Sequence, residues 1–336
     1  MPRASVIIPV RNAAATLDEA LASLLTQTFD DFDVLTFDDG SEDDSLAILT
    51  RAASLEPRIE VVGSERVGLV GALRRLVDAS EAPLLARMDA DDVCDPRRLE
   101  KQVELLDRRP ELALVSCLIR CFPEDSIAGG MRRYAVWVNS LIDPDDIARD
   151  IFVESPLCHP SVVLRREAYD RAGGYLDDGY PEDYHLWLRF VEQGLPMAKV
   201  PEVLLLWRDR PDRVTRTDPR CAPERFLELK LRFLLLGPLA GRRRIAIWGA
   251  GPTGRKWARM LIASGVEVLT HVDVDPNKIG QRTGTGAPIV GPDELARSVP
   301  GGYVLVAVGA QGARGRIREF LHDLGLTDPR DFVCVA

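Results

Sequence analysis

Short apolar runs alternate with longer amphipathic stretches through the first third of the chain. Runs at 5–9, 33–37, 59–62, 84–88 and 112–117 predict strands. The intervening segments 16–27, 43–54, 68–79 and 96–108 predict helices. Thr16 and Glu19 have the spacing of a capping box, Asp43 puts an acid at a helix start, and Pro96 opens a helix where a missing N–H does no harm. Strand–helix alternation of this kind predicts an α/β fold, a mostly parallel sheet with helices on both faces. The pattern becomes irregular over 122–158 and recovers as a strand at 161–164 and a helix at 183–192. An Arg-, Asp- and Pro-rich loop over 208–223 and a helix over 222–236 follow. A second alternating unit then begins: strands at 245–248, 266–272, 304–308 and 332–335, with helices from after Gly254 to about 263 and over 314–324. The expected organisation is therefore a domain over 1–220, a helical linker over 221–241 and a smaller α/β domain over 242–336.

Composition narrows the function. A chain of 336 residues suits two domains. No apolar run approaches the roughly 18 residues of a membrane span, and no basic leader precedes an apolar core, so no signal peptide is expected. The net charge of -9 argues against nucleic acid as a partner. It leaves room for an anionic small molecule held by arginines or a metal. Six cysteines stand without metal-binding or C-x-x-C spacing, which fits reduced thiols and a cytoplasmic protein.

In an open parallel sheet, ligands bind beyond the carboxyl ends of the strands. Three segments fall at such ends: Pro9-Val10-Arg11-Asn12, Asp38-Asp39-Gly40-Ser41 and Asp89-Ala90-Asp91-Asp92. Aspartates converging on one edge repel one another unless positive charge lies among them. A hard divalent cation with oxygen ligands supplies it and also bridges phosphate oxygens. Asp38 and Asp39 read equally well as a turn with Gly40. Asp89, Asp91 and Asp92 follow an apolar strand and have no helix to cap before Asp95-Pro96.

These segments, with the run from Ser23 to Phe29, Cys158-His159-Pro160-Ser161, Gly173-Gly174-Tyr175 and Glu182-Asp183-Tyr184-His185-Leu186-Trp187-Leu188-Arg189, resemble the family-2 glycosyltransferases of GT-A fold in order and spacing. The resemblance covers about residues 4–210. It implies a nucleotide-sugar donor of UDP or dTDP type, a divalent metal (Mn2+ or Mg2+), and transfer to a glycan, lipid-linked or small-molecule acceptor. Pro9 and Asp39 would contact the base and ribose, with Arg11 and Arg66 near the phosphates and sugar. Asp89 and Asp91 would form the metal-and-diphosphate motif, and the ligating carboxylate is Asp91 or Asp92. Asp183 would be the catalytic base, positioned by Glu182. The family often has asparagine where Arg74 stands.

The chemistry makes sense of these residues independently. An acceptor hydroxyl becomes a nucleophile when a carboxylate takes its proton. A single base opposite the leaving group gives inversion. Glu182-Asp183 also reads as an acidic helix start. Arg213 and Arg216 read either as a solvated loop or as one that closes over the diphosphate. His159 is an acceptor-side candidate or a histidine held at the sheet edge. Peripheral membrane contact with a lipid-linked acceptor, and an oligomer, both stay open.

In the second unit, Gly249-x-Gly251-x-x-Gly254 lies between a strand and a helix, and Asp273 ends the next strand. Val272-Asp273-Val274-Asp275-Pro276-Asn277-Lys278-Ile279-Gly280 and Pro288-Ile289-Val290-Gly291-Pro292 resemble small Rossmann-like units attached to sugar-modifying enzymes. That resemblance implies a second nucleotide site, or an assembly role. Two rival functions are a regulatory NAD-binding protein centred on this unit and a sugar nucleotidyltransferase. The latter would carry a glycine-rich first loop, which residues 9–15 lack.

Overall fold

The computed structural model describes residues 1–211, 213–295 and 302–336, which fall into two compact units. The first comprises residues 1–148 and 156–225, the second residues 149–155 and 226–336.

The first unit is built on an eight-stranded sheet: β1 (Ala4–Val10), β2 (Phe32–Asp38), β3 (Ile59–Ser64), β4 (Leu84–Arg87), β5 (Val93–Cys94), β6 (Leu114–Phe122), β7 (Val163–Arg165) and β8 (Met197–Arg208). Their order is β3-β2-β1-β4-β7-β6-β8-β5. The pairs among β1 to β4 are parallel, as is β6 with β8, while β7 and β5 run against their neighbours. The carboxyl ends of β1, β2, β4 and β8 therefore share one edge. The helices are α1 (Leu17–Leu25), α2 (Ser45–Leu55), α3 (Gly68–Ala79), α4 (Arg98–Arg108), α5 (Gly129–Ser140), α6 (Pro144–Asp150), α7 (Arg166–Arg171), α8 (Glu182–Glu192) and the single turn α9 (Val214–Thr217). Strands buried on both faces read as nearly unbroken apolar runs: Val6, Ile8, Leu84 and Leu85 are at most 1% exposed.

Three local expectations are corrected, and one strand was not anticipated. Thr16 does not close a capping box; its hydroxyl donates to the carbonyls of Ala13 and Ala90, and Glu19 instead pairs with Arg208. The stretch 122–158 is not irregular throughout, since it holds α5 and α6; α5 fully buries only Val138, so its apolar periodicity is weak. The loop over 208–223 contains α9 and a 3-10 turn at Pro219–Cys221. The strand β8 accommodates Pro201 because the register against β6 slips between Cys117 and Leu118, whose partners are Val200 and Val203. Pro201 and Glu202 bulge out there, where a proline does not break the ladder.

The second unit contains α10 (Pro223–Leu236), β9 (Arg244–Trp248), α11 (Pro252–Ala263), β10 (Glu267–Val272), β11 (Ile289–Val290), β12 (Tyr303–Val306), α12 (Ala313–Asp323) and β13 (Phe332–Cys334). Its sheet has the order β11-β10-β9-β12-β13 and is parallel throughout. Most of α10, read from sequence as a linker, is part of this unit and buries Leu229, Phe233 and Leu234. Residues 149–155 join it too: Val153 accepts from Lys230 Nζ at 2.7 Å, and Asp150 pairs with Arg318 and Arg314. These polar contacts are long-range in sequence, so no local pattern announces them.

Gly254 is a packing requirement. A Cβ built on it would lie 1.9 Å from the carbonyl oxygen of Gly249. Gly254→Ala is expected to destabilise this unit by about 3 kcal/mol or more, read as a lower urea midpoint. An unchanged midpoint would mean that β9 and α11 do not approach this closely.

Candidate active site

The loop after β4 is held from several sides. Ser23 Oγ accepts from the Cys94 N–H at 3.1 Å, and Gln27 bridges the Asp95 carbonyl (2.7 Å) and the Leu99 N–H (2.9 Å). Buried Arg98 donates to the Arg87 carbonyl at 2.7 Å, and β5 pairs with β8. The loop 88–92 is thereby fixed between two strand ends, and an Asp-rich turn cannot relax away from its own charge.

One oxygen from each of Asp89, Asp91 and Asp92 lies within 4.8 Å of the others. Asp92 is 1% exposed; Oδ1 accepts from the Arg208 N–H at 2.8 Å, while Oδ2 is buried without a hydrogen-bond partner. Burial and the neighbouring Asp89 and Asp91 push the Asp92 carboxyl well above its usual range. Asp91 is pushed up to about 6 by burial and Asp89, against the pull of Arg210, whose Nε stands 3.1 Å from Asp91 Oδ2. An unpartnered buried oxygen beside two further carboxylates fits a hard divalent cation with oxygen ligands. Both Asp91 and Asp92 face this cluster, so the choice of ligand between them stays open.

Asp38 and Asp39 are occupied otherwise. Asp38 Oδ2 accepts from the Ser41 N–H (3.2 Å) and the Ser64 hydroxyl (3.1 Å). Asp39 Oδ1 accepts from the N–H groups of Val67 and Gly68, both at 2.7 Å at the start of α3, and Oδ2 pairs with Arg66. Pro9 is half-buried beside Phe37 in the β1–β2 register, and Arg11 is exposed just beyond β1. Arg66 is exposed, and Arg74 donates to the Tyr175 carbonyl at 2.9 Å.

The Glu182-Asp183 pair opens α8 directly after Pro181. Asp183 Oδ1 accepts from the Tyr184 N–H at 2.6 Å, and the residue keeps part of its surface open although protein surrounds it. Burial and then the Glu182 charge push Asp183 up to about 7. Glu182 is buried; its oxygens lie 3.7 Å from His159 Nδ1 and 3.5 Å from Arg220 Nη1. His159 Nε2 is 2.8 Å from the Tyr175 hydroxyl. Burial, with Arg87 beside it, holds the ring well below the usual histidine range, so it is neutral. Arg189 donates to the carbonyls of Ala172 and Gly174, which explains the coupling of the Gly173-Gly174 turn to α8.

Arg87 is the residue that sequence reasoning missed. It ends β4, is 3% exposed, and pairs with Asp89. Burial alone would lower its pKa, but the Asp89 charge first, with its hydrogen bond, and then the Glu182 charge outweigh this and raise it. The same charge offsets a small part of the upward push on the carboxyls of Asp91, Asp92 and Asp183. A charged residue in the strand Leu84-Leu85-Ala86-Arg87 was the available signal. Arg213 and Arg216 pair with Asp209, Arg216 at 2.8 Å, and Arg213 stacks 3.8 Å over the Trp207 ring.

Arg87→Met is expected to cost about 3–5 kcal/mol at pH 7, because it strands buried carboxylates. The loss should shrink near pH 5, where Asp183 is protonated. Urea unfolding at both pH values checks this; equal losses would exclude the electrostatic cause.

The chain is similar to known proteins in sequence and in fold. The profile described as glycosyl transferase family 2 matches residues 5–173. The chain is 34% identical over 215 residues to the amylovoran biosynthesis glycosyltransferase AmsE of Erwinia amylovora, covering 63% of this chain and 78% of that one. It is 28% identical over 209 residues to the O-antigen biosynthesis glycosyltransferase WbnJ of Escherichia coli, covering 61% and 78%. The crystal structure of S. aureus TarS residues 1–349 in complex with UDP-GlcNAc shares the fold, with a TM-score of 0.56 at 17% identity over 71% of this chain and 67% of that one. The α/β fold of the first unit is thus of GT-A type, and the chain belongs to glycosyl transferase family 2 and is a glycosyltransferase.

Proposed function

We propose that this enzyme is an inverting transferase that moves a sugar from a UDP- or dTDP-type donor to an acceptor hydroxyl, with Asp183 as the general base. The observation that carries the reading is the cluster of Asp89, Asp91 and Asp92 within 4.8 Å of one another at the end of β4, with a buried, unpartnered Asp92 oxygen. UDP-GlcNAc in TarS and the polysaccharide roles named for AmsE and WbnJ support a nucleotide-sugar donor and a growing glycan as acceptor. Free thiols throughout support a cytoplasmic setting. No helix among the described residues is long and apolar enough to cross a membrane. Peripheral contact with a lipid-linked acceptor is compatible with this, and a small-molecule acceptor is the alternative.

In this mechanism Pro9 and Asp39 border the nucleoside, Asp39 acting mainly by fixing the 66–68 turn. Arg11 and Arg66 face the phosphates and sugar. Asp91 and Asp92, with Asp89, would hold Mn2+ or Mg2+. Such an ion, when bound, supplies positive charge for the leaving diphosphate. Asp183 takes the acceptor proton; a carboxylate titrating at about 7 is well matched to that task near neutral pH. Glu182, pinned by Arg220, raises the basicity of Asp183 through its own charge. Arg213 and Arg216 reach the diphosphate only if they exchange Asp209 for it.

Asp183→Asn is expected to lower kcat by about 10²–10⁴-fold with donor affinity retained. Near-normal turnover in that variant would remove Asp183 as the base. In the wild type, kcat/KM should rise with pH through about 7 and then level off, because the base acts only when deprotonated. A rate flat between pH 5.5 and 8.5 would contradict this; both limits are about 1.5 units from that value. Chelation of divalent ions, or Asp91→Ala, should abolish donor hydrolysis measured on a panel of nucleotide sugars.

A further inference from the structure

The second unit contains a cavity that glycosyl transfer does not use. Its volume is about 660 Å3. It lies at the carboxyl ends of β9, β10 and β12, lined there by Gly249, Asp273 and Val308. In the sheet, β9 sits between β10 and β12, so the order of strands reverses at this point. A crevice at such a reversal is where parallel sheets hold ligands.

The three glycines of the first turn have unequal reasons for being there. Gly249 has φ of 119°, and a Cβ on it would meet the Ala307 carbonyl oxygen at 2.9 Å. Gly254 is demanded by its contact with Gly249. Packing alone accounts for these two. Gly251 is different: its φ of -80° and ψ of -174° suit any residue, and a Cβ there would meet nothing within 4 Å. It stands on the cavity wall before α11. A side chain meets no packing obstacle and would occupy the approach to the helix start, where Pro252 carries no N–H and the Thr253 N–H has no acceptor within the helix.

The cavity wall carries charge of both signs: the basic Lys278 and Arg316, and the acids Asp273 and Asp293. Asp273 does not present a bare carboxylate. Its Oδ2 accepts from the Ala250 N–H at 3.0 Å and pairs with Lys278 Nζ at 3.1 Å, and its Oδ1 accepts from the Asp275 N–H at 3.0 Å. These bonds hold Asp273 below the usual carboxylate range despite its burial. Lys278 and Arg316 both line the cavity, and Ile317 and Phe320 give it an apolar side on which a base can lie. Among the described residues, the acidic triad able to hold a metal is Asp89, Asp91 and Asp92, all in the first unit.

We propose that this cavity binds a nucleotide by its phosphates, without a divalent metal. The ligand's anionic end faces the exposed start of α11, Lys278 and Arg316, and its base lies against Phe320 and Ile317. The test is titration calorimetry on the full chain in EDTA, with UDP, ADP and NAD+ as separate probes. At least one probe should bind, and Gly251→Leu should weaken it about tenfold or more, as lost charge-assisted hydrogen bonds imply, without lowering the melting temperature. Lys278→Met should weaken the same probe, which keeps the test valid if Gly251→Leu fails to fold. Binding of UDP or ADP identifies a mononucleotide ligand, and binding of NAD+ alone a dinucleotide. If no probe binds in EDTA, or if binding survives both substitutions, the proposal is overturned.

Discussion

The active-site end of the first unit depends on one buried positive charge. Arg87 sits at the end of β4 with Asp89, Glu182, Tyr175 and His159 around it. Moving a guanidinium out of water costs several kcal/mol, and Coulomb attraction returns that only with good geometry. The fold fixes the backbone around it through side chains that bond main-chain groups. Ser23 and Gln27 of α1 and the segment after it clamp the start of α4, and Arg98 of α4 holds the Arg87 carbonyl. The result is a guanidinium that cannot swing to solvent. Carboxyls that burial and mutual repulsion push up lie in its field, in two clusters far apart in sequence.

This explains which parts of the site could be read from the chain. The strands and the three strand-end turns, two of them bearing aspartates, were legible because parallel strands in sequence order bring their ends to one edge, as β1, β2 and β4 do. Ser23 and Gln27 lay within a resembling motif, but their work is structural and shows only in the hydrogen bonds to Cys94, Asp95 and Leu99. Arg87 was hidden because a single charge in an apolar run reads as a strand end. The path of β8 was hidden for a different reason: Pro201 sits in mid-strand, and only the slip against β6 makes room for it. The Thr16–Glu19 spacing misled because Glu19 found a stronger partner in Arg208, which no local rule anticipates.

The arginines after β8 illustrate how charge is distributed at this edge. Arg208 caps Asp92 through its backbone and reaches Glu19, Arg210 pairs with Asp91, and Arg213 and Arg216 share Asp209. Each positive group already has an acid. A phosphate entering here competes with carboxylates rather than with water, so its gain is the difference between two charged interactions. Arg11 and Arg66 are the more exposed groups, although Arg66 also holds Asp39.

The energetic consequence concerns the acids themselves. Asp183 is raised to about 7 from an ordinary 3.8, and Asp91 to about 6. A carboxyl raised on folding binds its proton more tightly in the native state than in the unfolded chain. Its contribution to stability is therefore present at low pH and is lost as pH rises through the native value. For Asp183 that window runs from about 4 to about 7, and an enzyme that uses it as a base works at the upper end of the window and above it. The ionised site is thus a strained part of the fold near neutral pH, stabilised locally by Arg87 and offset by the buried apolar strands around it. Binding of cation and donor at the same edge would relieve that strain, because positive charge placed among Asp89, Asp91 and Asp92 lowers the cost of keeping them ionised. The same repulsion that makes the ligand-free site unfavourable is then part of what favours the ligand.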